Sequence, residues 1–285
     1  MSIVGVIVAR MTSSRLPGKP LADLAGRTSL ERHWERLTRV DGLAAIFLAT
    51  SRDPNNEPLV AEARRLGMEV FRGESEDVVK RFVSIGRLAG AEAMVRVGCD
   101  KPLFCYHALA RNVAEYRGED YVHFNGPSTS GLGCEIFSLA ALEEVHRHYR
   151  GTAIAQHVRE HPHRFRIRPV AMDRALCRPE YRLSLDTPED LTLLQRVFEG
   201  LGGATAPSAL DALRFLDDNP EIAGINRNHQ EKNVNLYCAT LETKPVLTVV
   251  IDPSGGYVAL DRSGRPIPYP ELAELVADRE RWTQD

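Results

Sequence analysis

The sequence predicts an α/β fold in which a mostly parallel sheet is covered by helices on both faces. Short β-branched runs alternate with segments of helical spacing through the first 125 residues, the pattern of repeated strand–helix units. The runs are continuously apolar rather than alternating, as strands buried on both faces must be. With 285 residues, 43% of them hydrophobic, the chain can build one sizeable core, or one core and an appendage.

Ile3–Ala9 (IVGVIVA) is the first buried strand, followed by the polar loop Arg10–Lys19. Ser29–Arg39 has helical spacing with Ser29 as N-cap. Ala44–Thr50 is a second strand, Glu57–Leu66 a helix closed by Gly67, and Met68–Phe71 a short strand. Ser75–Leu88 reads as a helix, Ala91–Val97 as a strand, Tyr106–Tyr116 as a helix and Tyr121–Phe124 as extended chain. Asn125–Gly133 is a Gly/Ser-rich loop long enough to border a substrate. Ser138–Tyr149 is helical, Phe165–Val170 strand-like, and Pro188–Leu201 and Ser208–Asp217 are helices, the latter stopped before Asn219–Pro220. After the polar stretch Asn226–Asn235, the runs Val246–Asp252 and Tyr257–Asp261 flank Pro253–Gly256, a hairpin signal, and Pro270–Trp282 reads as a terminal helix. Residues 1–225 are expected to form the functional domain and 226–285 a small hairpin–helix appendage.

Composition excludes several classes. A formal net charge of −3 without a basic tail argues against nucleic-acid binding. The cysteines, Cys99, Cys105, Cys134, Cys177 and Cys238, form no CxxC pair and read as reduced, packed thiols. Met1–Ala9 lacks a basic region before it and is interrupted by Arg10, so a strand is expected and not a signal peptide. No apolar run approaches the roughly 20 residues of a membrane span. A soluble, cytoplasmic protein is expected.

Ligands of parallel sheets sit at the C-terminal ends of the strands, which directs attention to three loops: Arg10–Lys19, Thr50–Asn56 and Gly98–Phe104. The first carries Arg10, Arg15 and Lys19 with Ser13, Ser14, Pro17 and Gly18. Guanidinium groups bind phosphate oxygens in pairs, lysine adds a mobile charge, and hydroxyls with backbone N–H groups complete an anion nest. The loop is neither GxxxxGK[ST] nor GxGxxG, and charge alone leaves a solvated basic turn open. Asp100 follows the strand ending at Val97 and Asp186 the extended run Arg182–Leu185, so both are acids at predicted strand ends on the ligand edge of the sheet. Two such carboxylates with triphosphate oxygens suit Mg²⁺, although an aspartate there can equally cap a helix, as Asp186-Thr187-Pro188 suggests.

Arg10, Met11, Ser13, Arg15, Leu16, Pro17, Gly18, Lys19 and Leu21 reproduce the pattern R-M-x-S-x-R-L-P-G-K-x-L. This resembles the cytidylyltransferases that include spore coat polysaccharide biosynthesis protein F and the KDO and acylneuraminate cytidylyltransferases. Val8 replaces that branch's usual Gln and Thr12 its Gly. Val95, Arg96, Asp100, Pro102 and Leu103 match a second segment, and Arg178 through Leu191 a third. Ala49-Thr50-Ser51 resembles the nucleotide-side turn, and Gly73 through Val78 with Arg81 resembles a helix start. Asn219, Pro220, Glu221 and Asn226 resemble the domain's end, so the likeness spans residues 1–226.

The resemblance implies a Rossmann-like, three-layer nucleotidyltransferase that joins CMP from CTP to a small acceptor, by default a sugar acid, and releases pyrophosphate. It implies that Asp100 and Asp186 share Mg²⁺, that Arg10, Arg15 and Lys19 act on the phosphates, and that Ala9, Met11, Thr12, Ser13, Thr50, Ser51, Asp77, Val78 and Arg81 bind the nucleotide. Lys101, Glu135 and Arg150 fall on the acceptor side. Lys101 fits a phosphate, an acceptor carboxylate or a surface ion pair, and Glu135 fits either the acceptor or a buried arginine. Gly151-Thr152 after Arg150 departs from the Arg-Glu-His usual there. A phosphonate or sugar phosphate acceptor, or a non-catalytic partner subunit, stays open. His157 and His161 share a helical spacing but lack HExxH, with Pro162 following. A homodimer is expected, because a hairpin appendage must pack on something.

Overall fold

The computed structural model describes residues 1–13, 15–125 and 129–229, together with four strand segments between 233 and 269. Its main sheet has seven strands in the order β3-β2-β1-β4-β6-β5-β7. These are β1 (Ile3–Val8), β2 (Leu43–Ser51), β3 (Glu69–Gly73), β4 (Ala93–Gly98), β5 (Tyr121–Asn125), β6 (Glu135–Ser138) and β7 (Ile167–Ala171). β1 runs parallel to β2 and β4, whereas β6 runs antiparallel to β4 and β5.

The side-chain alternation of β1 explains the layers. Ile3 and Ile7 join one apolar cluster, together with residues of α1 (Ser29–Leu37), α2 (Glu57–Arg65) and α4 (Tyr106–Ala114). Val4 and Val6 point the other way, into a cluster with α3 (Val78–Ala89), α5 (Leu139–His148) and α6 (Ile154–Glu160). A third cluster unites α7 (Pro188–Gly200) and α8 (Ala209–Asp218) with Leu24, Leu103, Leu132, Leu183 and Leu185. That cluster places the chain around Asp186 beside the loops that follow β1 and β4. The short α9 (Pro220–Ala223) follows α8.

The departures from the expected elements have local causes. Thr28, not Ser29, caps α1, its side chain accepting from the Glu31 N–H. The third helix starts at Val78, three residues later than expected, because the Asp77 carboxylate accepts from the Lys80 N–H. β6 and α6 were not anticipated: β6 has four residues and α6 seven, too few for a period to register. Arg182–Leu185 is no strand of the sheet. It is held by an isolated bridge to Ser130 and by the Leu185 N–H donating to the Asp100 carbonyl, 2.8 Å.

A separate four-stranded sheet contains β8 (Asn233–Tyr237), β9 (Pro245–Ile251), β10 (Tyr257–Leu260) and β11 (Pro266–Tyr269), in the order β11-β10-β9-β8. The expected hairpin is its central antiparallel pair, with Tyr257 opposite Ile251. β8 falls on the stretch read as polar connector. The turn at 253–256, the terminal helix at 270–282, Ser14 and Cys238 lie outside the described residues. Among the described residues, no helix is long and apolar enough to cross a membrane.

Candidate active site

A cleft of about 420 Å³ opens at the C-terminal ends of β1 and β4. Ala9, Arg10, Thr12, Ser13, Arg15, Lys19, Val78, Arg81, Asp100 and Asp186 all line it. The loop after β1 is pinned at both ends. The Met11 N–H donates to Asn56 Oδ1 at 2.8 Å, and the Gly18 N–H closes back on the Met11 carbonyl at 2.9 Å. Gly18 has φ +74°, a left-handed conformation that suits glycine, and it delivers Lys19 into the cleft.

The two carboxylates are held differently. Asp186 Oδ1 lies 3.0 Å from Lys19 Nζ and 3.2 Å from Arg15, and Oδ2 accepts from Arg182 at 2.8 Å. Burial opposes its charge, yet the Lys19 hydrogen bond and these three cations hold its carboxyl below the usual range. Helix capping does not consume it: Thr187 caps α7 in a capping box with Asp190. Asp190 is fully buried and accepts from the N–H groups of Asp186 and Thr187, from Arg182 and from Asn226. Among the described residues, no hydrogen bond or ion pair holds the Asp100 carboxylate. A Cβ on Gly98 would meet its Oδ1 at 2.3 Å, so glycine makes room for it to fold back along the strand end.

The floor under Asp100 is polar and was not read from the sequence. His33 on α1 is completely buried. Its Nε2 accepts the Lys101 N–H at 3.2 Å, which fixes Nδ1–H as the donor to the Ser29 carbonyl at 2.7 Å. Buried Arg36, one turn on, donates to the Pro102 carbonyl at 2.6 Å. One helix thus grips the Lys101 N–H and the Pro102 carbonyl, the two ends of the dipeptide that follows Asp100.

Burial lowers the His33 pKa from 6.5 to about 4. Below pH 6.5 the unfolded chain takes up a proton that the folded protein excludes until about pH 4. The associated stability is therefore complete above pH 6.5 and is lost as the pH falls towards 4, by a few kcal/mol at about 1.4 kcal/mol per unit. Urea unfolding of wild type and His33→Gln at pH 7 and pH 4.5 checks this. The wild type should lose more stability than the variant, and equal losses would remove His33 as the source.

Other sequence-derived residues stand behind the cleft or outside it. Met11 borders a neighbouring depression with Pro17 and Asn55. Thr50 is buried, and Ser51 Oγ accepts from Asn56 Nδ2 at 2.7 Å, so it steadies the residue that pins the loop. Asp77 is the α3 cap, and its other oxygen lies 3.4 Å from His146. Lys101 Nζ donates to the Gly133 carbonyl, and Arg150 is exposed. Glu135 pairs at 2.5 Å with Arg96, a partly exposed arginine that lines the cleft. Burial opposes its charge, but Arg96, Lys101 and a hydrogen bond from Tyr121 pull its pKa to about 2.

Arg81 is buried and donates to the carbonyls of Ala49 and Ser75, and burial lowers its pKa to about 10, which leaves it charged at neutral pH. Burial pushes the Cys99 thiol, also at the cleft, up to about 12, which rules it out as a thiolate nucleophile at neutral pH. His157 stacks on Tyr149, has the His161 ring tilted against it, and does not border the cleft. Among the described residues, no group of three or more His, Cys, Asp or Glu could hold a metal, so a metal here would rest on two carboxylates and its substrate.

A cationic loop after the first strand, two acids at the same sheet edge and this strand order define an α/β nucleotidyltransferase. The chain belongs to the cytidylyltransferase family, whose model matches residues 4–205. It is 32% identical over 244 residues to an uncharacterized protein of Methanocaldococcus jannaschii, covering 82% of this chain and 98% of that one. It is 27% identical to the spore coat polysaccharide biosynthesis protein SpsF of Bacillus subtilis, covering 78% and 96%. A cytidylyltransferase structure from Leptospira borgpetersenii superposes with TM-score 0.73 at 26% identity, covering 78% of this chain and 97% of that chain.

Proposed function

We propose that the protein transfers CMP from CTP to a sugar acid and releases pyrophosphate, with Mg²⁺ held by Asp100 and Asp186. The observation that carries this reading is the meeting of Asp100 and Asp186 with Arg10, Arg15 and Lys19 in one cleft. Similarity over 105 residues to the 3-deoxy-manno-octulosonate cytidylyltransferase of Geobacter sulfurreducens, at 32% identity and 36% of this chain, supports a sugar acid as acceptor.

In the reaction, an acceptor oxygen forms a bond to the α-phosphorus of CTP. The bond from that phosphorus to the bridging oxygen breaks, pyrophosphate leaves, and the acceptor's proton passes to solvent. Arg10, Arg15 and Lys19 neutralise the departing phosphates, where charge grows in the transition state. Arg15 and Lys19 now sit on Asp186, and the more highly charged triphosphate competes for them, which frees carboxylate oxygen for the metal. Mg²⁺, when bound, supplies Lewis-acid stabilisation of the α-phosphate oxygens. Arg81, fixed to two backbone carbonyls, adds positive charge that does not have to be reoriented.

Arg15→Ala and Lys19→Ala should each lower turnover by about a hundredfold, the scale of one lost transition-state donor. Arg15 is 65% exposed and should leave the melting temperature unchanged, because exposed ion pairs stabilise little. Steady-state kinetics beside thermal unfolding checks this, and unaltered turnover with a lower melting temperature would make the loop structural. The function itself is tested by pyrophosphate release from the four ribonucleoside triphosphates against sugar acids, sugar phosphates and phosphonates. CTP with a sugar acid should give the highest rate. A preference for another triphosphate or for a phosphonate would overturn the corresponding part.

A further inference from the structure

Arg96 lies in the cleft but has no part in the chemistry above. It projects from β4 directly opposite Glu135 on β6. Its side chain is 26% exposed, and its Nη1 donates to Glu135 at 2.5 Å. A guanidinium has five N–H donors. Among the described residues, only Glu135 accepts from Arg96, and its Nε is buried without a partner.

The surroundings add positive charge. Glu135 also accepts from the Tyr121 hydroxyl, which in turn accepts from Arg159 Nη1 at 3.1 Å, and the charge of Lys101 acts on Glu135 as well. Two cations, Arg96 and Lys101, thus act on one carboxylate, and Arg159 reaches it only through the Tyr121 hydroxyl. In the sheet order, this cluster joins β4 to β6, on the flank away from β2. Arg10, Arg15, Lys19 and Arg81 line the same cleft and are the cations assigned above to the triphosphate, which leaves Arg96 without a role there.

We infer that Arg96 binds an anionic group of the acceptor, a carboxylate or a phosphate, with Glu135 and Tyr121 fixing the guanidinium from behind. This rests on the nucleotidyl-transfer reading and names the chemistry by which the acceptor is chosen. Glu135, assigned from sequence to the acceptor side, then acts through Arg96.

The test uses full-length wild type, Arg96→Gln, Arg96→Lys and the double variant Arg96→Gln/Glu135→Gln. The double variant avoids leaving Glu135 buried and unpaired, so it reports even where the single variant fails to fold. Acceptors are supplied in matched pairs: 3-deoxy-manno-octulosonate and its methyl ester, and a sugar phosphate and the parent sugar. CTP affinity is measured separately by calorimetry. Wild type should prefer the anionic member of a pair. The glutamine variants should raise the KM for that member about a hundredfold and erase the preference, and lysine should cost about tenfold. CTP affinity should change less than about threefold, the range of context effects for a group that touches no phosphate. The pair in which the preference collapses identifies carboxylate or phosphate. A retained preference in Arg96→Gln overturns the inference, as does a loss of CTP binding, which would place Arg96 on the triphosphate. If wild type turns over no anionic acceptor, the inference fails, while intact CTP binding leaves the nucleotidyl-transfer reading standing.

Discussion

Asp100→Asn is expected to lower kcat by about a thousandfold while leaving stability unchanged. The two halves of this result have separate causes. Removing one of two carboxylate charges from a magnesium site removes several kcal/mol of transition-state stabilisation, and about 4 kcal/mol corresponds to a thousandfold. The Asp100 carboxylate takes no hydrogen bond or ion pair among the described residues, so folding loses nothing with its charge. Asp186→Asn should be equally inactive but also less stable, by about 1–2 kcal/mol. Lys19 and the largely buried Arg182 both lose a charge partner, although Arg182 keeps Asp190. Kinetics at saturating Mg²⁺ and urea unfolding of both variants decide the matter. Near-normal turnover in either would dissolve the shared-metal site, and an unstable Asp100→Asn would show that Asp100 supports the fold.

The largest effect on stability is expected from Asp190→Ala, about 3–5 kcal/mol, the range for breaking a buried charge pair from one side. Asp190 has no exposure and serves Arg182, Asn226 and the N–H groups of Asp186 and Thr187. Its loss strands those donors, opens the capping box of α7 and releases the backbone that presents Asp186. Activity should therefore fall with stability, even at temperatures where the variant is folded. Asn226→Ala should cost less, because Asn226 contributes one bond to Asp190 and one to the Arg182 carbonyl. A loss below about 1 kcal/mol for Asp190→Ala, read from the shift in urea midpoint at constant m, would mean that water replaces these bonds and that the network does not organise the site.

The fold was legible where the chain is locally repetitive. β1, with β-branched residues alternating to both faces, announces a central strand, and the basic loop after it can be read from residue type alone. Asp100 was visible as an acid at a strand end. Asp186 was visible too, but its support was misjudged: Arg182–Leu185 is held by Ser130 and the Asp100 carbonyl and is not a strand of the sheet. What escaped notice depends on contacts between distant segments. His33 looks like one residue of an amphipathic helix until the fold sets it beneath Lys101, 68 positions later. Arg96 stood in a quoted motif, yet its meaning comes from Glu135 on β6, a strand too short to anticipate. The family resemblance assigns Ser51 and Asp77 to the nucleotide side. In the structure, Ser51 Oγ accepts from Asn56 and one oxygen of Asp77 starts α3, contacts that a motif match does not display.

CTP labelled at the α-phosphorus offers the most direct measurement. Incubated with the protein, Mg²⁺ and 3-deoxy-manno-octulosonate, it should yield label on the sugar acid and an equimolar amount of unlabelled pyrophosphate. Both products should form about a thousandfold more slowly with Asp100→Asn. Label recovered as CDP or as free CMP, or pyrophosphate release that does not depend on the acceptor, would contradict CMP transfer.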